Sequence, residues 1–140
     1  MGNDEVCELC EQAGGALLWR DDRCRVVLAG DADYPGFCRV IWQRHVREMT
    51  DLPPADRERL MSVVFMVESA IREVLRPDKI NLASLGNLTP HLHWHVIPRY
   101  SHDKHFPQPI WGEAQRAGNH ALPLDWQVRL TNTVRSMLSD

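Results

Sequence analysis

No apolar run in this 140-residue chain approaches the roughly eighteen residues a membrane span requires, so a spanning protein is not expected. Basic charge is not in excess. Sixteen Lys and Arg stand against 19 Asp and Glu, a net −3, which argues against a general nucleic-acid binder and leaves room only for a local basic pocket. The opening residues, MGNDEVCELC, carry acids where a secretory signal would place positive charge and then an apolar core, so a cytoplasmic location is expected. Cysteine is scarce. The four present, in such a compartment, read as thiols or metal ligands rather than disulfides. Internal repeats and low-complexity segments are missing too.

What is present suits one soluble domain over residues 1–140. Apolar residues make up 44% and charged residues 25%, and a chain of this length buries about two-thirds of its unfolded surface. Strands are expected at Leu17–Arg20, Cys24–Leu28 and Phe37–Trp42, broken by RDD and DADYPG. TDLPPADRERL has the hydroxyl, acid and prolines of a helix start, and Leu60, Val63, Val64, Val67, Ile71, Val74 and Leu75 follow at helical spacing. After RPDK, KINLASLG reads as a fourth strand, and Gly86-Asn87 turns it into a fifth. Residues 101–123 look irregular, and a last helix is expected within residues 124–140, from about Asp125 to Leu138. The fold class is therefore α+β: an antiparallel sheet of about five strands with one long helix packed on one face and a C-terminal helix.

The fifth strand carries the chemistry. In TPHLHWHVIPRY, His91, His93 and His95 alternate with Leu92, Trp94 and Val96. Such a period places all three imidazoles on one face and the apolar residues on the other, toward the long helix. At roughly 3.3 Å per residue, His91 and His95 would stand about 13 Å apart on a straight strand, too far to share one ion bound at about 2 Å. At least one histidine needs a separate task. The pair Cys7 and Cys10, in CELC, has zinc-ligand spacing, and the same spacing also fits a redox pair or coincidence, whereas Cys24 and Cys38 sit in apolar runs as small buried side chains.

His91-Leu92-His93-Trp94-His95-Val96-Ile97 resembles the hallmark of the histidine triad family, and YPGFCRVIWQRHVREMTDLPP and NLASLGN resemble its flanking segments. The resemblance implies a nucleotide hydrolase or nucleotidyl transferase that cleaves at the α-phosphate of a nucleoside, purine by preference, phosphate derivative. Dinucleoside polyphosphates and phosphoramidates are such substrates. By position, His93 would be the nucleophile that forms a covalent nucleotidyl-histidine, held in one tautomer by a partner on its other nitrogen. His95 would donate to the phosphate, and Asn87 would hold a phosphate oxygen. Asn81 matches a polar position near phosphate or ribose. Asp31, preferred to Asp33, would meet the ribose hydroxyls, although turn chemistry explains both aspartates as well. Val27, Leu28 and Ile41 would line the base, and Arg99 would reach a distal phosphate.

The same resemblance implies structural zinc held by Cys7, Cys10, His45 and His91, clamping residues 1–15 to the sheet and leaving His93 free. A homodimer is also implied. Two departures stand out. Phe37 occupies a position where relatives often carry histidine, and Leu88 one where the phosphoramidase branch carries serine, with Thr89 one residue off. Trp111 would close over the site, pack in a dimer or anchor in the core; His102, His105 and His120 carry no expected role. Two other functions compete: a nucleotide-binding regulatory module with little turnover, and a zinc hydrolase activating water through two triad histidines and a carboxylate.

Overall fold

A computed structural model describes residues 6–118 and 121–139; residues 1–5, with most of the acidic N-terminus, and His120 lie outside the described residues. Five strands form one antiparallel sheet in the order β1-β2-β3-β5-β4: β1 Ala16–Arg20, β2 Cys24–Leu28, β3 Cys38–Trp42, β4 Lys79–Ala83 and β5 His93–Arg99. Helix α2, Pro54–Leu75, and helix α3, Trp126–Leu138, pack on each other and on one face of the sheet. These are the expected elements, with ends moved by one to three residues. No helix among the described residues is long and apolar enough to cross a membrane.

Period-2 alternation sorts the sheet into two faces. Cys24, Val26, Leu28, Cys38, Val40, Trp42, Leu92 and Val96 join the α2 stripe from Leu60 to Leu75 in the main core. That stripe is why α2 forms where it does: its apolar residues recur every three or four positions, a proline opens its first turn, and Arg76 ends it with φ 53°. The other face carries Arg25, Val27, Arg39, Ile41, His93, His95, Ile97 and Arg99, as the strand register requires.

Two expectations are corrected here. The imidazole face does not offer Val27, Leu28 and Ile41 to a base: a four-residue helix, α1 Glu8–Glu11, lays Leu9 over Val27 and Ile41, which are fully buried beneath it. Leu28 points to the opposite face. None of the three is free to line a base. Arg25 ties the covering segment down, donating from Nε to the Ala13 carbonyl at 2.9 Å and from Nη2 to the carbonyls of Leu9 and Gln12 at 2.7 and 3.0 Å. A short helix leaves its last carbonyls without intrahelical partners, and the guanidinium takes up that of Leu9 together with those of the C-cap Gln12 and of Ala13 just beyond.

Arg99 is the second correction. It is 2% exposed and its Nε donates to Asp103 at 2.9 Å, with Nη1 to the Asn81 amide oxygen at 2.7 Å and Nη2 to the Gln108 carbonyl at 2.7 Å. Every arm of the fork is used inside the protein, so it reaches no distal phosphate. Asp103 in turn accepts from the backbone N–H groups of Tyr100, His105 and Phe106 and from the Tyr34 hydroxyl. Burial alone would raise its pKa, but the Arg99 guanidinium and these N–H groups hold the carboxyl far below the usual carboxylate range. A depressed folded pKa means that this stabilisation is complete above about pH 4 and fades as the pH falls through more acidic values. Asp103→Asn should strand the buried guanidinium without a counter-charge and cost about 3 kcal/mol. Thermal unfolding should show a Tm roughly 10 °C lower; an unchanged Tm would remove the pair from the stability account.

Candidate functional site

His91 does not lie in the strand. Its N–H bonds to the Thr89 carbonyl, and Leu92 then donates to Val46 and accepts from Trp42, so the chain comes off a bend before β5 begins at His93. The bend separates the three imidazoles by task. The Nε2–H of His91 donates to the Trp42 carbonyl at 2.6 Å, which leaves Nδ1 as a lone pair. In His93 the arrangement is reversed: Nδ1–H donates to the His91 carbonyl at 2.6 Å, and Nε2 carries the lone pair. A carbonyl only accepts, so each tautomer follows from its partner.

The His91 lone pair faces Cys7, Cys10 and His45. Its Nδ1 lies 3.4 Å from Cys7 Sγ, 3.5 Å from Cys10 Sγ and 3.2 Å from His45 Nδ1, and Cys10 Sγ lies 3.4 Å from His45 Nδ1. All four ligand atoms fall within 4.8 Å of one another. The edges of a tetrahedron around an ion with zinc-like bonds to sulfur and nitrogen measure roughly 3.3–3.8 Å, so the cluster has the dimensions of a closed metal centre. The donors fit a dication as well. Desolvation and then the adjacent Cys7 raise the Cys10 pKa, a penalty that an ion between the two sulfurs reverses by holding both as thiolates. Desolvation lowers the His91 pKa, keeping the ring neutral as a ligand must be. The carbonyl on Nε2 supplies the outer partner that orients a metal-bound histidine.

His93 and His95 open onto a cleft of about 600 Å³. His95 packs edge-on against His93, Phe37 and Trp111, with ring centroids 5.0, 5.4 and 5.3 Å apart. Desolvation first, then the nearby His93 and Arg39, push its pKa down to about 4, so the ring is neutral near pH 7. Its Nδ1 is buried with no partner among the described residues. With the proton on Nε2, that orphan is a lone pair rather than a stranded N–H, the less costly arrangement. Nε2–H is then the donor available to a ligand.

Asn87 lines the cleft from the 84–90 loop, exposed, just after Gly86, whose φ of +73° turns the chain back toward the triad. The remaining expected ligands are elsewhere. Asn81 is engaged with Arg99. Asp31 accepts from the Asp33 N–H at 2.9 Å through its side chain, and its carbonyl accepts from Tyr34, which is turn chemistry. Neither lines the cleft.

Arg39 is the residue that sequence reasoning missed. It pairs with His95 across β3 and β5, lines the cleft, and donates to the Gly14 carbonyl at 2.8 Å while its guanidinium sits 5.7 Å from the Phe37 ring centre. The signal was available: in FCRVIW the strand period puts Arg39 on the same face as Ile41, opposite Cys38 and Val40.

Comparison with known proteins gives the chain its family and relatives. The family model of the HIT domain matches residues 11–102, which include His45 and all three triad histidines and begin just after Cys10. A histidine triad protein of Bradyrhizobium japonicum superposes with a TM-score of 0.73 at 28% identity, over 90% of this chain and 92% of that one. The AP-4-A phosphorylase of Mycobacterium tuberculosis is 33% identical over 84 residues, 56% of this chain and 43% of its own. The adenylylsulfatase HINT3 of Arabidopsis thaliana is 28% identical over 127 residues, 86% of this chain and 61% of its own. The chain thus spans about half the length of the curated relatives it matches.

Proposed function

Because the chain belongs to the HIT domain family, we propose that it is a nucleotide hydrolase or nucleotidyl transferase in which His93 attacks the α-phosphorus of a nucleoside phosphate derivative. The observation that carries this reading is the His93 Nδ1–H bond to the His91 carbonyl, which leaves Nε2 as a neutral nucleophile at the cleft. The Nε2 lone pair forms the phosphorus–nitrogen bond as the bond to the leaving oxygen breaks, and that oxygen takes the electron pair. Water, or another acceptor, then attacks phosphorus and gives up its proton to solvent, and the electrons of the phosphorus–nitrogen bond return to Nε2. As the ring gains positive charge its Nδ1–H becomes a stronger donor to the carbonyl, so this bond strengthens during attack. His95 donates from Nε2 to a non-bridging oxygen, and the Asn87 amide serves another.

Leu88, 95% exposed at the cleft, offers no hydroxyl at its position, and the loop's hydroxyl lining the cleft is that of Thr89, one residue on. In this reading the leaving group is one stable as an anion, such as the remainder of a phosphate chain. The names of the phosphorylase and of the fission-yeast bis(5'-nucleosyl)-tetraphosphatase, 30% identical over 87 residues, support that choice. The metal centre takes zinc in this reading, through Cys7, Cys10, His45 and His91, and its chemistry is structural: four protein donors close the shell and fasten the N-terminal segment to the triad.

The test is to mix the enzyme with labelled diadenosine tetraphosphate, quench in a denaturant without acid, and map the label. Nucleotide should be found on His93 alone; label elsewhere, or none while product forms, would overturn the mechanism. Asn87→Ala should lower kcat about 10²-fold, the usual loss for one preorganised donor. An unchanged rate would reduce Asn87 to a turn residue.

A further inference from the structure

The triad divides the cleft into two unlike banks. On the β4 side stands the 85–89 loop with Asn87; on the β3 side stand Arg39, Gly14, Gly15 and Ala29, with Glu8 and Gln12 above them. In-line displacement places the leaving oxygen opposite His93 Nε2 and the other substituents of phosphorus around the equator. The ester oxygen to the nucleoside is one of these, so the nucleoside runs sideways from the phosphorus along one bank. With phosphate oxygens served by Asn87 on the loop bank, the nucleoside takes the β3 bank, and resting on the proposed function above, that bank reads its base.

The bank is not the apolar slot expected from sequence. Val27 and Ile41 are sealed under Leu9, and the cleft lining sets a guanidinium beside the apolar side chains of Leu9 and Ala29. Arg39 forms no ion pair among the described residues and is the only cation among the described residues lining the cleft. The Gly14 carbonyl and the Phe37 ring hold it in place, using one nitrogen and leaving other N–H donors free. Beside it the Gly15 backbone lies close against β2, where an added Cβ would stand 2.0 Å from the Leu28 carbonyl oxygen. Glu8, exposed on α1, adds an acceptor to the same bank.

We infer that Arg39 and Glu8 are base-reading residues that select a 6-oxopurine, guanine above all, over adenine. A guanidinium matches two neighbouring acceptors, and guanine presents O6 and N7 as such a pair, whereas adenine replaces O6 with an amino donor. A carboxylate matches the N1–H and 2-amino donors of guanine's other edge, where adenine has an acceptor at N1. The pocket and the base therefore agree at both edges for guanine and disagree at both for adenine, and mismatched polar groups discriminate far more strongly than missing methylenes do.

Calorimetric titration of the 140-residue chain with GMP, IMP and AMP tests this without any turnover. GMP should bind at least ~10-fold tighter than AMP. IMP, which keeps O6, N7 and N1–H and lacks the 2-amino group, should fall between them. Arg39→Ala should bring GMP and AMP within about twofold of each other, and Glu8→Gln should bring GMP and IMP together. AMP bound as tightly as GMP by the wild-type protein overturns the inference whether or not the variants fold. Equal weakening of all three ligands in Arg39→Ala overturns it too, by making Arg39 a phosphate or structural residue. The two readings fail separately. A GMP preference without label on His93 defeats the proposed mechanism alone, and His93 labelled equally by guanosine and adenosine substrates, with equal affinities, defeats the base selection alone.

Discussion

His93→Ala should lower kcat by at least ~10⁴-fold while nucleotide affinity stays within about threefold of wild type, measured by single-turnover kinetics and by titration. The asymmetry follows from where the interaction is made. In the proposed mechanism the ground state is held by the cleft walls, Asn87 and His95, none of which the substitution removes. The phosphorus–nitrogen bond exists only on the reaction path, and without Nε2 there is no covalent intermediate to divide one difficult displacement into two. Loss of affinity matching loss of rate would mean that His93 binds rather than attacks. A variant retaining full turnover would remove it from the chemistry and leave the regulatory-module reading stronger.

Purified protein should contain about one zinc per chain, and Cys7→Ser combined with Cys10→Ser should lose it, with a fall in Tm of roughly 15 °C. Metal that binds only the folded chain adds its binding free energy to folding, and here the ligands lie far apart in sequence, from Cys7 to His91. Activity should fall less than in His93→Ala, by about tenfold, the range seen when the partner that orients a ligand is lost. The coupling is physical: the His91 side chain is held by the cluster and its carbonyl holds His93. Metal-free wild-type protein would return CELC to a pair of thiols. Complete loss of turnover in a folded, metal-free variant would favour the zinc hydrolase and take the nucleophile's role from His93.

Much of this arrangement was legible in the chain. Period-2 alternation in HLHWHVI and the helical stripe from Leu60 to Leu75 are local patterns, and from them follow the strands, the long helix and the shared face of His93 and His95, whereas His91 leaves the strand at a bend. The convergence of Cys7, Cys10, His45 and His91 came from resemblance rather than spacing, because no local rule joins residues so distant. Arg99 was misread for a related reason. A cation at the end of the histidine strand suggests a phosphate, but its fate depends on Asp103 and Gln108 in a loop that folds back over it, and nothing in PRYSHDKH announces that closure. Leu9 shows the same limit from the apolar side. One turn of helix, too short for a periodic signal, covers Val27 and Ile41 and so changes what a base can touch.

The acceptor that fixes the His93 tautomer is a main-chain carbonyl, and so is the one that fixes His91. Neither can be deleted by exchanging a side chain. The opposed tautomers of ligand and nucleophile therefore present a very small mutational target: substitution can remove the histidines themselves or collapse the bend, but it cannot retune them one partner at a time. Residues on the β3 bank carry no such protection, since Arg39 and Glu8 act through side chains alone. A lineage built on this site can change its choice of base by single substitutions while inheriting the attacking nitrogen unaltered.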